Sequence, residues 1–270
     1  MRRLASIAAF AACLACSVAA QNNPESPIAD APPAPSSGEQ TRVLEETRRV
    51  ALEYTANLPN FICTETIQRS LIAKRGQPWK LADTLILDLA FSNKGESHKL
   101  LSINGKPTKK IFTNLDGVIS DSDFGTILSW IFRPKSQTHF QWERWTNLRG
   151  LPTHVFSYHV DQSHSEFRMI SDKLQRIAAF GGLVYVDRET SRVMRITYAP
   201  TDIPSYWPIA EAGSALDYGL TTIGEQQFFL PRHAELILTA RNGRQARNVM
   251  DFGNYRKFSA EAIFSFEKDR

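Results

Sequence analysis

Three histidines and an aspartate crowd one short stretch. His154, His159, Asp161 and His164 fall within eleven residues. Imidazole and carboxylate are zinc ligands, and a zinc site needs three or four of them converging on one point. Strand periodicity opposes convergence. His154 and His159 are an odd number of residues apart and face opposite sides of a strand, which leaves His159 and Asp161 together. The stretch therefore reads as the end of a hairpin, and neither a metal nor a cofactor is expected. Carboxylates in strand-like runs, Glu65, Asp88, Asp217 and Glu235, are a second candidate. Two of them across a cleft would suit glycoside hydrolysis, which makes a secreted glycan hydrolase the alternative reading. Cys63 sits in the apolar run Phe61-Ile62-Cys63-Thr64 with no flanking basic cluster, so it reads as a small buried hydrophobe. There is no GxSxG, no HExxH and no phosphate loop, and Gly181-Gly182 is an isolated pair. No catalytic residue is assigned, and a binding protein is favoured over an enzyme.

Large apolar and aromatic side chains are the better material. Leu87 and Leu89, Trp142, Tyr158, and Ile196 with Tyr198 alternate along strand-like runs. The segment Ile203-Pro204-Ser205-Tyr206-Trp207-Pro208-Ile209 places two aromatics between two prolines, as a rim at a cavity mouth would. These eight residues, with Tyr206 and Trp207 at the rim, are the expected ligand-binding set.

A 270-residue chain with 42% apolar and 22% charged residues can bury a sizeable core. Its start is a targeting pattern. Arg2 and Arg3 precede an uncharged run from Leu4 to Val18, and Val18-Ala19-Ala20 offers a cleavage site before Gln21. That run is shorter than the roughly 20 residues that span a bilayer. Residues 1–20 are thus read as a signal peptide, and no later run would span a membrane as a helix. Cys13 and Cys16 lack the leucine three residues before a lipidated cysteine, so an anchor is not favoured. Residues 21–38 are rich in Pro, Ser and Asn and read as a disordered linker. Cleavage removes two of the four net positive charges and two of the three cysteines. The remaining balance, with Lys106, Lys109 and Lys110 as the local cluster, does not suggest nucleic acid as a partner.

Residues 39–270 are expected to form one domain. Val43, Leu44, Thr47, Val50, Ala51, Tyr54 and Leu58 recur at helical spacing, with Ser37 and Gln40 as a capping box and Pro59 at the end. The period then becomes two. Strands are expected around 83–91, 98–103, 140–144, 154–160, 183–187, 192–198, 235–240 and 258–266, with turns at Asn104-Gly105 and Asn242-Gly243. A second helix over Asp123–Phe132, capped by Ser122, interrupts them. The expected architecture is α+β, mostly β: one curved antiparallel sheet, a half-barrel of about eight to ten strands, covered by an N-terminal helix and one inserted helix.

The run Leu183-Val184-Tyr185-Val186-Asp187-Arg188-Glu189-Thr190-Ser191-Arg192-Val193-Met194-Arg195-Ile196 resembles the strand, D-x-x-T turn and returning strand of the outer-membrane lipoprotein-sorting superfamily. The element order is similar too. Leu58-Pro59-Asn60-Phe61-Ile62-Cys63 and Asn254-Tyr255-Arg256-Lys257-Phe258 resemble segments of uncharacterised exported bacterial proteins. The superfamily resemblance implies a half-barrel whose apolar interior receives acyl chains or other lipophiles. The sequence reading is therefore an exported envelope protein, periplasmic or extracellular and associated with the outer membrane, with a lipid or lipoprotein as partner. A protein-interaction module of the envelope is a further alternative.

Overall fold

The computed structural model describes residues 25–92, 95–118, 125–171 and 174–257. The expected signal peptide, the helix cap Ser122, Phe124 and the strand over 258–266 lie outside them.

Helix α1 spans Ser37–Asn57. Its N-cap is Ser36, one residue before the expected cap. Glu39 N–H donates to Ser36 Oγ at 3.3 Å, and Ser36 N–H donates to Glu39 Oε2 at 2.8 Å. This is a complete capping box, and the acid also suits the positive end of the helix. The chain leaves the helix at Leu58, ahead of Pro59, and Ala51 and Thr47 are fully buried on its inner stripe. Helix α2 spans Thr126–Phe132 and buries Ile127, Leu128, Ile131 and Phe132. The two helices pack against each other.

The strands are β1 (Glu25–Ser26), β2 (Phe61–Ile72), β3 (Lys80–Ser92), β4 (Gly95–Ile103), β5 (Lys106–Pro107), β6 (His139–Leu148) and β7 (Leu151–Val160). They continue with β8 (Arg168–Ser171), β9 (Leu174–Ile177), β10 (Phe180–Asp187), β11 (Val193–Pro200), β12 (Ile209–Ile223), β13 (Gln226–Ala240) and β14 (Gln245–Lys257). Twelve form one antiparallel sheet in the order β1-β6-β7-β10-β11-β12-β13-β14-β2-β3-β4-β5. Its two ends do not pair, so the half-barrel stays open. β8 and β9 form a separate ribbon. The expected fold class stands, with more strands than the sequence suggested.

Alternation sorts the side chains onto two faces. Phe61, Cys63, Ile67, Leu85, Leu87, Leu89, Phe156, Tyr158, Val184, Ile196, Leu216, Tyr218, Met250 and Phe252 form one buried cluster under the helices. Cys63 is part of this core, as its apolar context implied. The outer face carries cross-strand ion pairs beside a smaller buried cluster of Leu148, Val155, Tyr185 and Met194. Arg195 donates twice to Asp217, at 2.8 and 2.9 Å, and both residues are buried. Arg247 pairs with Glu235, Arg256 with Asp88 at 2.8 Å, and His233 with Asp251 at 2.8 Å. Bulges adjust register where parity would otherwise fail. One lies at Asp217/Tyr218, where Tyr218 faces Pro231 and Asp217 faces His233. A bulge is also where a residue without an N–H is tolerated in an inner strand.

The resembled motif folds as its pattern implies. Thr190 N–H donates to Asp187 Oδ2 at 3.3 Å, Thr190 Oγ1 donates to the same carboxylate, and Ser191 N–H donates to Asp187 O at 3.0 Å. The carboxylate closes the turn and returns β10 into β11. The isolated glycine pair has a structural reason as well. A Cβ on Gly181 would lie 2.6 Å from Tyr158 O, and one on Gly182 would lie 2.0 Å from Thr197 O. β10 is squeezed between β7 and β11 here, and only glycine fits.

The Pro-rich stretch contributes structure from Glu25 onward. β1 pairs with β6, Glu25 accepts from Arg144 at 2.6 Å and from Tyr185 at 3.1 Å, and Thr146 Oγ1 donates to Ser26 O at 3.2 Å. Trp145 Nε1 donates to Pro33 O at 3.1 Å. The linker expected over 21–38 is thus, in this part, a strap along the sheet that leads into the α1 cap. Beside it the Trp145 ring lies 4.0 Å from the His154 ring, and Arg188 stands over Trp145.

Two predictions follow from this packing. Gly182→Ala forces the β10 and β11 backbones apart and should lower stability by more than about 2 kcal/mol, read as a reduced urea midpoint. His154 has its pKa lowered to about 4, first by burial and then by the Arg188 charge. Between its ordinary value near 6.5 and about 4, the unfolded chain binds a proton that the folded chain refuses. Stability should therefore fall as pH drops through that window. His154→Phe should flatten the part of the fall that this histidine supplies, seen as a smaller loss of urea midpoint from pH 7 to pH 4.5 than in the parent.

Candidate functional site

A cavity of about 620 Å3 lies on the covered face. Its floor is built from the ends of β11 to β14 and β2, and small side chains make the room. Ala212 and Ser214 of β12, Ala240 of β13 and Ala246 of β14 line it at positions where the core elsewhere carries Leu, Phe or Tyr. Leu236, Leu238 and Tyr198 supply the larger apolar wall. Each alanine in place of a large side chain leaves volume that neighbours fill only partly, because rotamers and backbone limit the collapse.

Three elements roof this floor. α2 contributes Ile127 and Trp130, the β8–β9 ribbon contributes Met169 and Ile170, and the segment at Gly117-Val118 crosses beside them. Asn248 Nδ2 donates to Val118 O at 2.8 Å, and Arg69, paired with Asp83, donates to Asp116 O at 2.6 Å. These polar groups of the covered face hold the crossing segment in place. Phe167 joins ribbon to core, with Trp130 at 6.2 Å, Phe180 at 5.4 Å and Tyr198 at 6.2 Å between ring centroids. The loop before β12 is pinned by Arg241, which donates to Trp207 O at 3.0 Å and to Pro204 O at 2.7 Å.

Six of the eight expected binding residues share one face, as the alternation implied. Leu87, Leu89, Tyr158 and Ile196 belong to the buried cluster, and Trp142 and Tyr198 pack against it. Sharing a face is not the same as lining the space. Leu87, Leu89 and Ile196 are fully buried among other side chains, and Tyr158 spends its hydroxyl on Thr197 O at 3.0 Å. Trp142 donates to His154 at 3.3 Å and is not part of the cavity lining. Of the eight, Tyr198 and Trp207 line the cavity. Trp207 is buried against Met169 and Ala178 rather than at an open rim, whereas Tyr206 is 67% exposed and is not part of the lining. The small residues of β12 are what sequence reading passed over. Low strand propensity hid the strand, and with it the floor of the site.

A second space of about 270 Å3 lies beneath α1, lined by Tyr54, Tyr218, Phe228 and Phe229. α2 stands between the two: Ile127 borders the large cavity and Leu128 the small one.

The other candidate groups are dispersed. Glu65 lies on the covered face with His98 Nε2 at 3.6 Å. Asp88, Asp217 and Glu235 lie on the outer face, each engaged by an arginine. Burial pushes the Glu235 carboxyl up, with Arg247 pulling it back. Asp217 and Glu235 stand diagonally on the adjacent strands β12 and β13, and there each carboxylate is taken up by its own arginine. His159 lies 3.2 Å from Asp161 at the end of β7, while His154 is buried on the other side of that strand.

No family model matches this sequence, and neither does any curated protein. Among solved structures, a DUF1329 family protein from Desulfovibrio piger is similar at 11% identity, covering 84% of this chain and 99% of that one with a TM-score of 0.41. A LolA superfamily protein from Nitrosomonas europaea is similar at 10% identity, covering 84% of this chain and 98% of that one with a TM-score of 0.34.

Proposed function

We propose that this is an exported, non-enzymatic envelope protein that holds an acyl chain or a comparable lipophile in the large cavity. The observation that carries the reading is the cavity itself: about 620 Å3, floored by small side chains and walled by Tyr198, Leu236, Leu238, Trp130 and Trp207. That volume lies within the range of about 300–1,000 Å3 typical of ligand sites. Two residues at its border, Leu71 and Ile170, are large, apolar and 46% and 64% exposed. Apolar groups left in water at the border of an apolar cavity suit a ligand that arrives by its hydrocarbon end. Among the described residues no helix is long and apolar enough to cross a membrane. Export rests on the N-terminal pattern of residues 1–20.

Neutral n-alkyl maltosides of increasing chain length are the direct test, with Trp130 and Trp207 as built-in fluorescent reporters. Each added CH2 contributes about 0.8 kcal/mol on burial, so affinity should rise about fourfold per carbon until the cavity is full. Ser214→Leu fills the floor and should weaken dodecyl maltoside at least about tenfold while leaving the melting temperature unchanged or higher. Affinity independent of chain length would sink the proposal.

A further inference from the structure

The lining of the large cavity is uneven in charge. Among the described residues it contains two arginines, Arg168 at the start of β8 and Arg244 in the turn between β13 and β14, and no acid. Both are exposed, and neither guanidinium has a hydrogen-bonded or ion-paired side chain beside it among the described residues.

Among the described residues, three acids near these elements are engaged elsewhere. Glu166, two residues before Arg168, is held by Arg133 and Lys135. Asp202 pairs with Arg176 at 3.0 Å. Glu211 of β12 pairs with Arg75 and accepts from Thr239 Oγ1 at 3.4 Å. Arg241 lies in the same turn as Arg244 and spends its donors on backbone carbonyls, which leaves its charge uncancelled. The outer face behaves differently, because Arg195, Arg247 and Arg256 there each meet a carboxylate.

An arginine fork matches a carboxylate or a phosphate in two parallel hydrogen bonds, and it does so best beside a surface from which water is excluded. We infer that the ligand of this cavity is an amphiphile with a single anionic head, a carboxylate or a phosphate. Arg168 and Arg244 hold the head, and the chain runs inward past Trp130 toward Leu236. This rests on the lipophile reading given above and adds the chemistry of the head.

The test keeps the chain constant and varies the head. Dodecanoate, monododecyl phosphate, dodecyl maltoside and dodecyltrimethylammonium are titrated below their micelle concentrations into the full-length mature protein. The two anions should bind at least about tenfold tighter than the maltoside, and the cation weakest. The gap should close near 1 M salt, where screening reaches in to about 3 Å. Whichever anion binds tighter identifies the head as carboxylate or phosphoryl. Arg168→Gln with Arg244→Gln should abolish the anion preference while leaving maltoside affinity unchanged, a result that loss of folding could not produce. Equal binding of all four heads would overturn the head assignment and leave the cavity reading standing. An anion preference that survives in the double variant would overturn the assignment of these two arginines. No binding of any probe would overturn both.

Discussion

A single open sheet has one broad apolar face and no second large sheet to cover it. Everything else in this molecule answers to that constraint. Twelve strands present an inner face far wider than two helices can hide, and one of those helices has only two turns. α1 seals the part over Tyr218 and Phe229, and α2 seals the middle. Beyond α2, among the described residues, a two-stranded ribbon, a crossing segment and one tryptophan loop cover the remaining floor. Opposite them the floor is made of Ala212, Ser214, Ala240 and Ala246. The space persists because the side chains of that part of the floor are too short to meet the roof.

The legible parts were those governed by local periodicity. Leu85, Leu87, Leu89 and Phe91 alternate without interruption, and β3 appears where they do. The stripe on α1 was equally plain, although the cap shifted by one residue because Ser36 and Glu39 answer to the box geometry as well as Ser37 and Gln40 do. The D-x-x-T turn was readable because its carboxylate acts within four residues.

What stayed hidden depends on partners distant in sequence. β12 reads IAEAGSALDYGLTTI, and its alanines, serine and glycines carry weak strand propensity. It is a strand because β11 and β13 flank it, and Asp217 is tolerated there because Arg195 reaches across from the next strand. The strap of residues 25–36 was hidden for a similar reason. Proline-rich composition forecasts a flexible spacer, whereas Arg144, Trp145 and Tyr185 supply its anchors from more than a hundred residues away. The lining residues fall between these cases. Their face followed from alternation, but which of them border open space is set by the size of the residues opposite.

The distribution of charge separates structural from functional polarity. A buried ion pair contributes little net stability, because the cost of desolvating both groups offsets most of their attraction, yet removing one partner leaves a costly orphan. Asp217 with Arg195 and Glu235 with Arg247 are such pairs, and they tie neighbouring strands together on the outer face. Carboxylates committed in this way are poorly placed to act on a substrate, since proton transfer would first have to break the pairing. The cavity border follows the opposite rule, with arginines and no acid among its described residues. A border of one sign is unfavourable in the empty protein and favourable when an opposite charge arrives. The covered face that helix leaves partly open thus has, among its described residues, no acid at the cavity border to neutralise the arginines, and one amphiphilic ligand would remedy both.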